Sequence, residues 1–133
     1  GLTDSPVGLA AWIVEKFRAW SDCSGDPERA ISRDAMLTNI MLYWATGAIN
    51  SSFWPYYERR HAPSAVPSDA KIAAPMGYAA FPHEIVRPPR SLAEKMYTDI
   101  RRWTEMKRGG HFAAMEQPLA LSEEVQAFFR GLR

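Results

Sequence analysis

The stretch Lys71-Ile-Ala-Ala-Pro-Met-Gly-Tyr-Ala-Ala-Phe81 decides the fold class, because it is apolar, lacks a helical period and is flanked by prolines. Such a pattern is typical of a buried strand, although Pro75 within it would remove one ladder hydrogen bond. A second strand is predicted at residues 100–106, and residues 91–97 between the two fit a short helix. Alternating strand and helix predict an α/β sheet.

A closing amphipathic helix is predicted from Gln117-Pro118 onward, because apolar residues recur there at helical spacing: Leu121, Val125, Phe128 and Leu132. The first half of the chain is helical instead. A helix from about Pro6 to Trp20 follows Ser5, which can accept a hydrogen bond from its first turn.

A second helix is predicted after Ser32, where residues 35–45 are apolar on nearly every side. We expect this helix to be buried on more than one face. Residues 61–68, with Pro63 and Pro67, indicate a connector. The chain is therefore predicted to divide into a helical segment at residues 1–68 and a strand-containing segment at residues 69–133.

Composition indicates a packed globular chain, since 47% of its 133 residues are hydrophobic. A net charge of +1 gives no basic patch for nucleic acid or for an anionic membrane surface. The single cysteine, Cys23, has no disulfide partner, which suits a reducing cytoplasm. No signal peptide or membrane anchor is expected, and a start without methionine close to a helix suggests a fragment.

His111 is the leading candidate for chemistry, because it follows Gly109-Gly110 at the end of a predicted strand. Functional sites form at the carboxyl ends of strands in α/β sheets, and histidine exchanges protons near neutral pH. Its sequence position alone is equally compatible with a structural or surface histidine.

Glu84 follows the other predicted strand, 27 residues before His111 (111 − 84 = 27). If the strands are adjacent, both residues leave the same edge of the sheet, and the carboxylate would hold the imidazole in one tautomer. Taken alone, Glu84 would more often be a solvated loop acid.

Four aromatic residues lie close together beside a proline and are candidates for an apolar pocket: Phe53, Trp54, Tyr56 and Tyr57. Without other information, a simple packing cluster is the more common explanation for such residues. His61 and His83 lack partners at metal-ligand spacing, and no glycine-rich phosphate loop is present. We therefore expect no metal and no other cofactor.

Several stretches together resemble the C-terminal region of microsomal-type epoxide hydrolases, which have the α/β-hydrolase fold. They are Leu2-Thr-Asp-Ser-Pro-Val-Gly-Leu-Ala-Ala-Trp-Ile13, Leu37-Thr-Asn-Ile-Met-Leu-Tyr-Trp44 with Thr46-Gly47, Phe81-Pro-His-Glu84 and Arg108-Gly-Gly-His-Phe-Ala-Ala114. The fold class that the resemblance implies is the C-terminal part of that fold, a helical lid portion followed by strand, helix, strand and helix.

The resemblance also implies roles for individual residues. His111 would be the general base, Glu84 its orienting acid and Tyr56 a lid tyrosine that binds the epoxide oxygen, with Tyr57 as the alternative. Phe53, Trp54 and Tyr57 would line the substrate site. The resemblance implies that the nucleophilic aspartate lies upstream of residue 1. Asp4 does not match it, because Asp4 sits at a helix opening rather than at a strand-to-helix turn. The chain alone is expected to be inactive.

The partner implied by the resemblance is a small apolar epoxide, and a second copy of the chain is also considered. Two other interpretations stay open. One is a non-catalytic remnant that dimerises through exposed apolar surface. The other keeps the fold but hydrolyses another ester or a carbon–halogen bond.

Overall fold

The computed structural model describes residues 1–62, 67 and 69–132. Contacts divide it into two compact units. The first consists of Gly1–Ala19 with Cys23–Pro67, and the second of Trp20–Asp22 with Ser68–Arg133. Assignment of residues 1–68 to a lid portion stays a prediction. Most of the predicted connector, residues 63–66 and 68, lies outside the described residues.

The first unit is helical. It contains α1 (Pro6–Trp20) except for its last residue, α2 (Arg33–Thr46) and α3 (Trp54–His61), with 3-10 turns at Pro27–Arg29 and Ser51–Phe53. The predicted start of α1 is confirmed, since the Ser5 hydroxyl accepts a hydrogen bond from the Gly8 amide at 3.0 Å. A small core of Leu9, Ile40 and Ile49 holds the unit together.

Helix α2 begins where its sequence predicts, since the Ser32 hydroxyl accepts the Ala35 N–H. Gly47 ends the helix in the left-handed conformation. Its burial was predicted wrongly, however. Only Met36 and Ile40 are buried, whereas Leu37, Met41 and Leu42 are at least half exposed.

The second unit contains two parallel strands, β1 (Met76–Ala80) and β2 (Ile100–Glu105). Their register pairs Gly77 with Arg102 and Ala80 with Glu105. The predicted strand at residues 71–81 is too long. Pro75 lacks an amide hydrogen, so regular pairing begins one residue later, where Met76 donates to the Asp99 carbonyl.

Three helices complete the second unit: α4 (Arg90–Ala93), α5 (Ala113–Glu116) and α6 (Pro118–Arg130). Helix α4 is shorter than the predicted residues 91–97, and α5 was not predicted. The predicted closing helix α6 is confirmed and packs on β1. Their approach is so close that a Cβ on Gly77 would lie 2.7 Å from the Phe128 ring.

A bidentate ion pair also ties β2 to α6. Arg102 donates through Nε and a terminal nitrogen to the Glu124 carboxylate, at 2.6 and 2.7 Å. This hydrogen bonding lowers the pKa of Glu124 below its usual value. The pair therefore stabilises the folded state above the unfolded-state pKa of Glu124, and this contribution is lost as the pH falls through the folded-state pKa.

Replacing Glu124 with glutamine should lower the stability of the chain at pH 7, and the difference from the wild type should shrink as the pH falls through the folded-state pKa of Glu124. Urea midpoints over a series of falling pH values measure this. Glu123→Gln on the exposed side of α6 is the matched control. Equal midpoints for Glu124→Gln and Glu123→Gln at pH 7 would contradict the assignment.

Among the described residues, no helix is both long and apolar enough to cross a membrane.

Candidate active site

Glu84 and His111 both lie beyond the carboxyl ends of the paired strands, as predicted from their positions. The segments after the strands continue to pair, because the His83 amide donates to the Gly109 carbonyl at 3.0 Å and His83 bridges Gly110 in parallel fashion. The residues that follow, Glu84 and His111, are thereby brought side by side.

The imidazole of His111 is hydrogen-bonded to the Glu84 carboxylate, with 2.7 Å between Nδ1 and Oε1. The Ile85 amide donates to the same oxygen at 2.7 Å, which helps to fix the carboxylate. A proton on Nδ1 facing the carboxylate leaves Nε2 as the basic nitrogen. Within the described part of the chain Nε2 forms no hydrogen bond, and 40% of the His111 side chain is exposed.

Two aromatic rings hold the plane of the imidazole. Trp20 and Phe112 each meet the His111 ring nearly edge-on, with centroids 5.2 Å away in both cases. Trp20 and Phe112 are also roughly parallel to each other at 6.3 Å. The ring of His111 therefore has one hydrogen-bonded nitrogen, two packed neighbours and one nitrogen available to a reactant.

Both glycines before His111 are needed for this geometry. Gly109 has φ +104°, and a Cβ there would lie 2.8 Å from the Phe81 ring. A Cβ on Gly110 would lie 2.4 Å from the Trp20 carbonyl oxygen. The prediction that glycines allow a sharp turn beside the histidine is consistent with these contacts.

Sequence reasoning missed the polar residues that hold this turn. Asp22 accepts the Gly109 amide at 3.0 Å and pairs with His83 Nε2 at 3.2 Å. The buried carboxylate of Glu116 accepts three further backbone amides. Asp22 lies far away in sequence and gives no local signal, but Glu116 just after a glycine-glycine-histidine turn resembles the acid that caps a helix start.

The pKa of Tyr78 on β1 is influenced by Glu84 of this site. Burial of its phenol is the main cause that raises its pKa, and the nearby charge of Glu84 adds to this. Its hydroxyl is buried without a hydrogen-bond partner among the described residues, and its ring packs against Trp103 at 4.4 Å. The phenol therefore stays neutral at physiological pH.

The predicted substrate-site aromatics belong to the first unit, on and just before α3. Phe53 packs against the core of that unit and edge-on to Trp12, which matches the packing alternative for this residue. Tyr57 stacks on His61 with 4.0 Å between ring centroids. Trp54 and Tyr56 are mostly exposed, Tyr56 to 72%.

Helix α3 itself was not predicted. Proline fits the first turn of a helix, where its missing amide hydrogen has no partner to lose. Within the described ranges, no three histidine, cysteine, aspartate or glutamate side chains are grouped closely enough to hold a metal ion.

Comparisons with known proteins give one consistent result. The chain is 42% identical over 135 residues to epoxide hydrolase 1 of Sus scrofa and 40% identical over 136 residues to epoxide hydrolase 1 of Oryctolagus cuniculus. Each match covers 96% of this chain and 30% of the relative, so the chain spans about a third of the length of these proteins. No family model matches the chain.

The fold comparison agrees. The crystal structure of juvenile hormone epoxide hydrolase from Bombyx mori superimposes with a TM-score of 0.82 at 30% identity, covering 98% of this chain and 35% of that one. The stretch matched in such proteins is their C-terminal part. The predicted fold class, the C-terminal part of an α/β-hydrolase fold, is thereby confirmed.

Proposed function

We propose that this chain, which is similar to epoxide hydrolases over nearly its whole length, supplies the water-activating half of an epoxide hydrolase. The observation that carries the proposal is the hydrogen bond of 2.7 Å between His111 and Glu84 at the carboxyl edge of β1 and β2. A histidine oriented by a carboxylate and free at its other nitrogen is suited to remove a proton from water.

The first step opens the epoxide. An aspartate carboxylate outside these 133 residues attacks a ring carbon, the carbon–oxygen bond of the ring breaks, and the released oxygen takes the proton of the Tyr56 hydroxyl. The product is a hydroxyalkyl ester of the aspartate. The tyrosine then regains a proton from solvent.

The second step uses the residues of the second unit. His111 Nε2 takes a proton from water as the water oxygen attacks the carbonyl carbon of the ester, and Glu84 stabilises the imidazolium that forms. When the tetrahedral intermediate collapses, the diol oxygen leaves with the proton from His111. The aspartic acid that remains carries one oxygen from water, and it releases its proton to solvent to regenerate the carboxylate, which balances the proton that Tyr56 regained.

An activity panel tests the proposal. The full-length protein that carries this chain should convert small apolar epoxides to diols, and it should hydrolyse neither simple esters nor haloalkanes at comparable rates. The 133-residue chain alone should convert none of them, since the proposed nucleophile lies outside it. Faster turnover of a haloalkane than of any epoxide would favour the different-reaction alternative.

One observation favours the competing proposal of an interaction module. Helix α2 exposes a row of large apolar side chains: Leu37, Met41 and Leu42. If the chain is an interaction module, the full-length protein should be inactive in the panel and should form a concentration-dependent dimer in sedimentation. An active monomer would exclude it.

Of the two adjacent tyrosines, both of which are mostly exposed, we propose Tyr56 as the donor, because the ring of Tyr57 is stacked on His61. In the full-length protein, Tyr56→Phe should slow ring opening on the order of 10²-fold by removing this donor. Tyr57→Phe is the matched comparison and should have a smaller effect. Single-turnover kinetics measure both, and a reversed order would assign the role to Tyr57.

A further inference from the structure

The buried carboxylate of Glu116 binds an unusual number of backbone groups. Its Oε2 accepts the amide hydrogens of Asp22 and Gly110, at 2.7 and 3.0 Å, and its Oε1 accepts that of Phe112 at 3.0 Å. Only 9% of the residue is exposed. A carboxylate offers four lone-pair directions and no donor, so it suits three converging N–H groups.

These amides belong to the two segments that surround the candidate base. Gly110 and Phe112 are the residues on either side of His111, and the His111 amide itself donates to the Trp20 carbonyl at 2.9 Å. Asp22 lies in the short segment whose Trp20 ring packs on the imidazole. One side chain therefore connects the backbone before His111, the backbone after it and the segment that carries its aromatic neighbour.

We infer that Glu116 is a positioning residue for His111, acting through this backbone clamp. The inference rests on the proposed function for its catalytic consequence, because a displaced imidazole would no longer direct Nε2 at water while Nδ1 stays on Glu84. A displacement of about 1 Å can reduce a rate on the order of 10²-fold. Ring opening does not use His111, so its rate should not change when Glu116 is replaced.

Glu116→Gln tests the clamp with almost no change of shape. The amide keeps one acceptor oxygen, but its NH₂ group would face a backbone N–H and cannot accept from it. Glu123→Gln is the matched control, since it makes the same change on an exposed surface of α6.

The primary readout is the His111 Nδ1 proton, followed by NMR in full-length protein with ¹⁵N-labelled histidine. In the wild type and in Glu123→Gln this proton should be visible and protected by its bond to Glu84. In Glu116→Gln its exchange with solvent should speed up at least about tenfold, because the loop opens locally while the protein stays folded. Unchanged exchange in a folded Glu116→Gln protein would overturn the inference.

A kinetic readout separates this inference from the proposed function. With an epoxide, Glu116→Gln should form ester at the wild-type rate and hydrolyse it on the order of 10²-fold more slowly. If the wild type forms no ester at all, the proposed function fails, whereas proton exchange still decides the role of Glu116. If Glu116→Gln does not fold, Glu116→Asp, whose side chain is one methylene shorter, is tested instead. Exchange of the His111 Nδ1 proton at the wild-type rate in Glu116→Asp would overturn the inference.

Discussion

Replacing His111 with glutamine in the full-length protein is expected to reduce steady-state epoxide turnover by about 10³-fold or more, the scale of general-base catalysis by a positioned histidine. Glutamine can hydrogen-bond to Glu84, but it cannot take a proton from water. Ring opening should survive, because neither the nucleophile nor the proposed tyrosine donor is changed. Epoxide consumption should therefore stop after one equivalent per protein molecule.

A time course of epoxide loss in the presence of excess substrate measures this burst. Glu123→Gln on the exposed surface of α6 is the control for a substitution elsewhere in the same chain. Wild-type turnover in His111→Gln would rule out the role assigned to His111.

Gly110→Ala is expected to disable the same site by a steric route. The new Cβ would lie 2.4 Å from the Trp20 carbonyl oxygen and 3.2 Å from the Asp22 nitrogen, both of them backbone atoms that cannot rotate away. The segment around His111 must therefore shift. Such overpacking should lower the free energy of unfolding by about 1–3 kcal/mol. The displaced imidazole should slow ester hydrolysis on the order of 10²-fold.

Urea unfolding and ester hydrolysis measure the two effects of Gly110→Ala. Gly131→Ala is the matched control, because a Cβ there would meet only the Phe128 carbonyl oxygen at an ordinary 3.5 Å. We expect that control to change stability by less than about 0.5 kcal/mol. A Gly110→Ala protein with the stability and turnover of Gly131→Ala would show that the close approach at Trp20 does not matter.

Local sequence signals predicted the parts of the fold that depend on local physics. The hydroxyls of Ser5 and Ser32 accept amide hydrogens in the first turns of α1 and α2, as predicted. The apolar period of α6 likewise predicted its extent. The pairing of Glu84 with His111 followed from strand ends, since parallel neighbours bring their following loops to one edge.

Other features depend on contacts that no local pattern encodes. Asp22 accepts a hydrogen bond from the Gly109 amide across 87 residues of sequence, so the sequence around neither residue predicts this bond. The length of β1 was overestimated because the apolar run extends past Pro75, whereas regular strand pairing begins only after this residue, which has no amide hydrogen. The burial of α2 was overestimated because apolar residues show that a helix face can be buried, but they do not show whether another segment packs against that face.

The proposal that His111 and Glu84 hydrolyse a covalent ester is tested by the intact mass of the full-length His111→Gln protein after exposure to a small apolar epoxide. Because ring opening has no leaving group, the His111→Gln protein should gain the full mass of the epoxide, while the wild type should return to its original mass once substrate is consumed. A His111→Gln protein that stays unmodified while it continues to turn over epoxide would contradict the proposed role of His111.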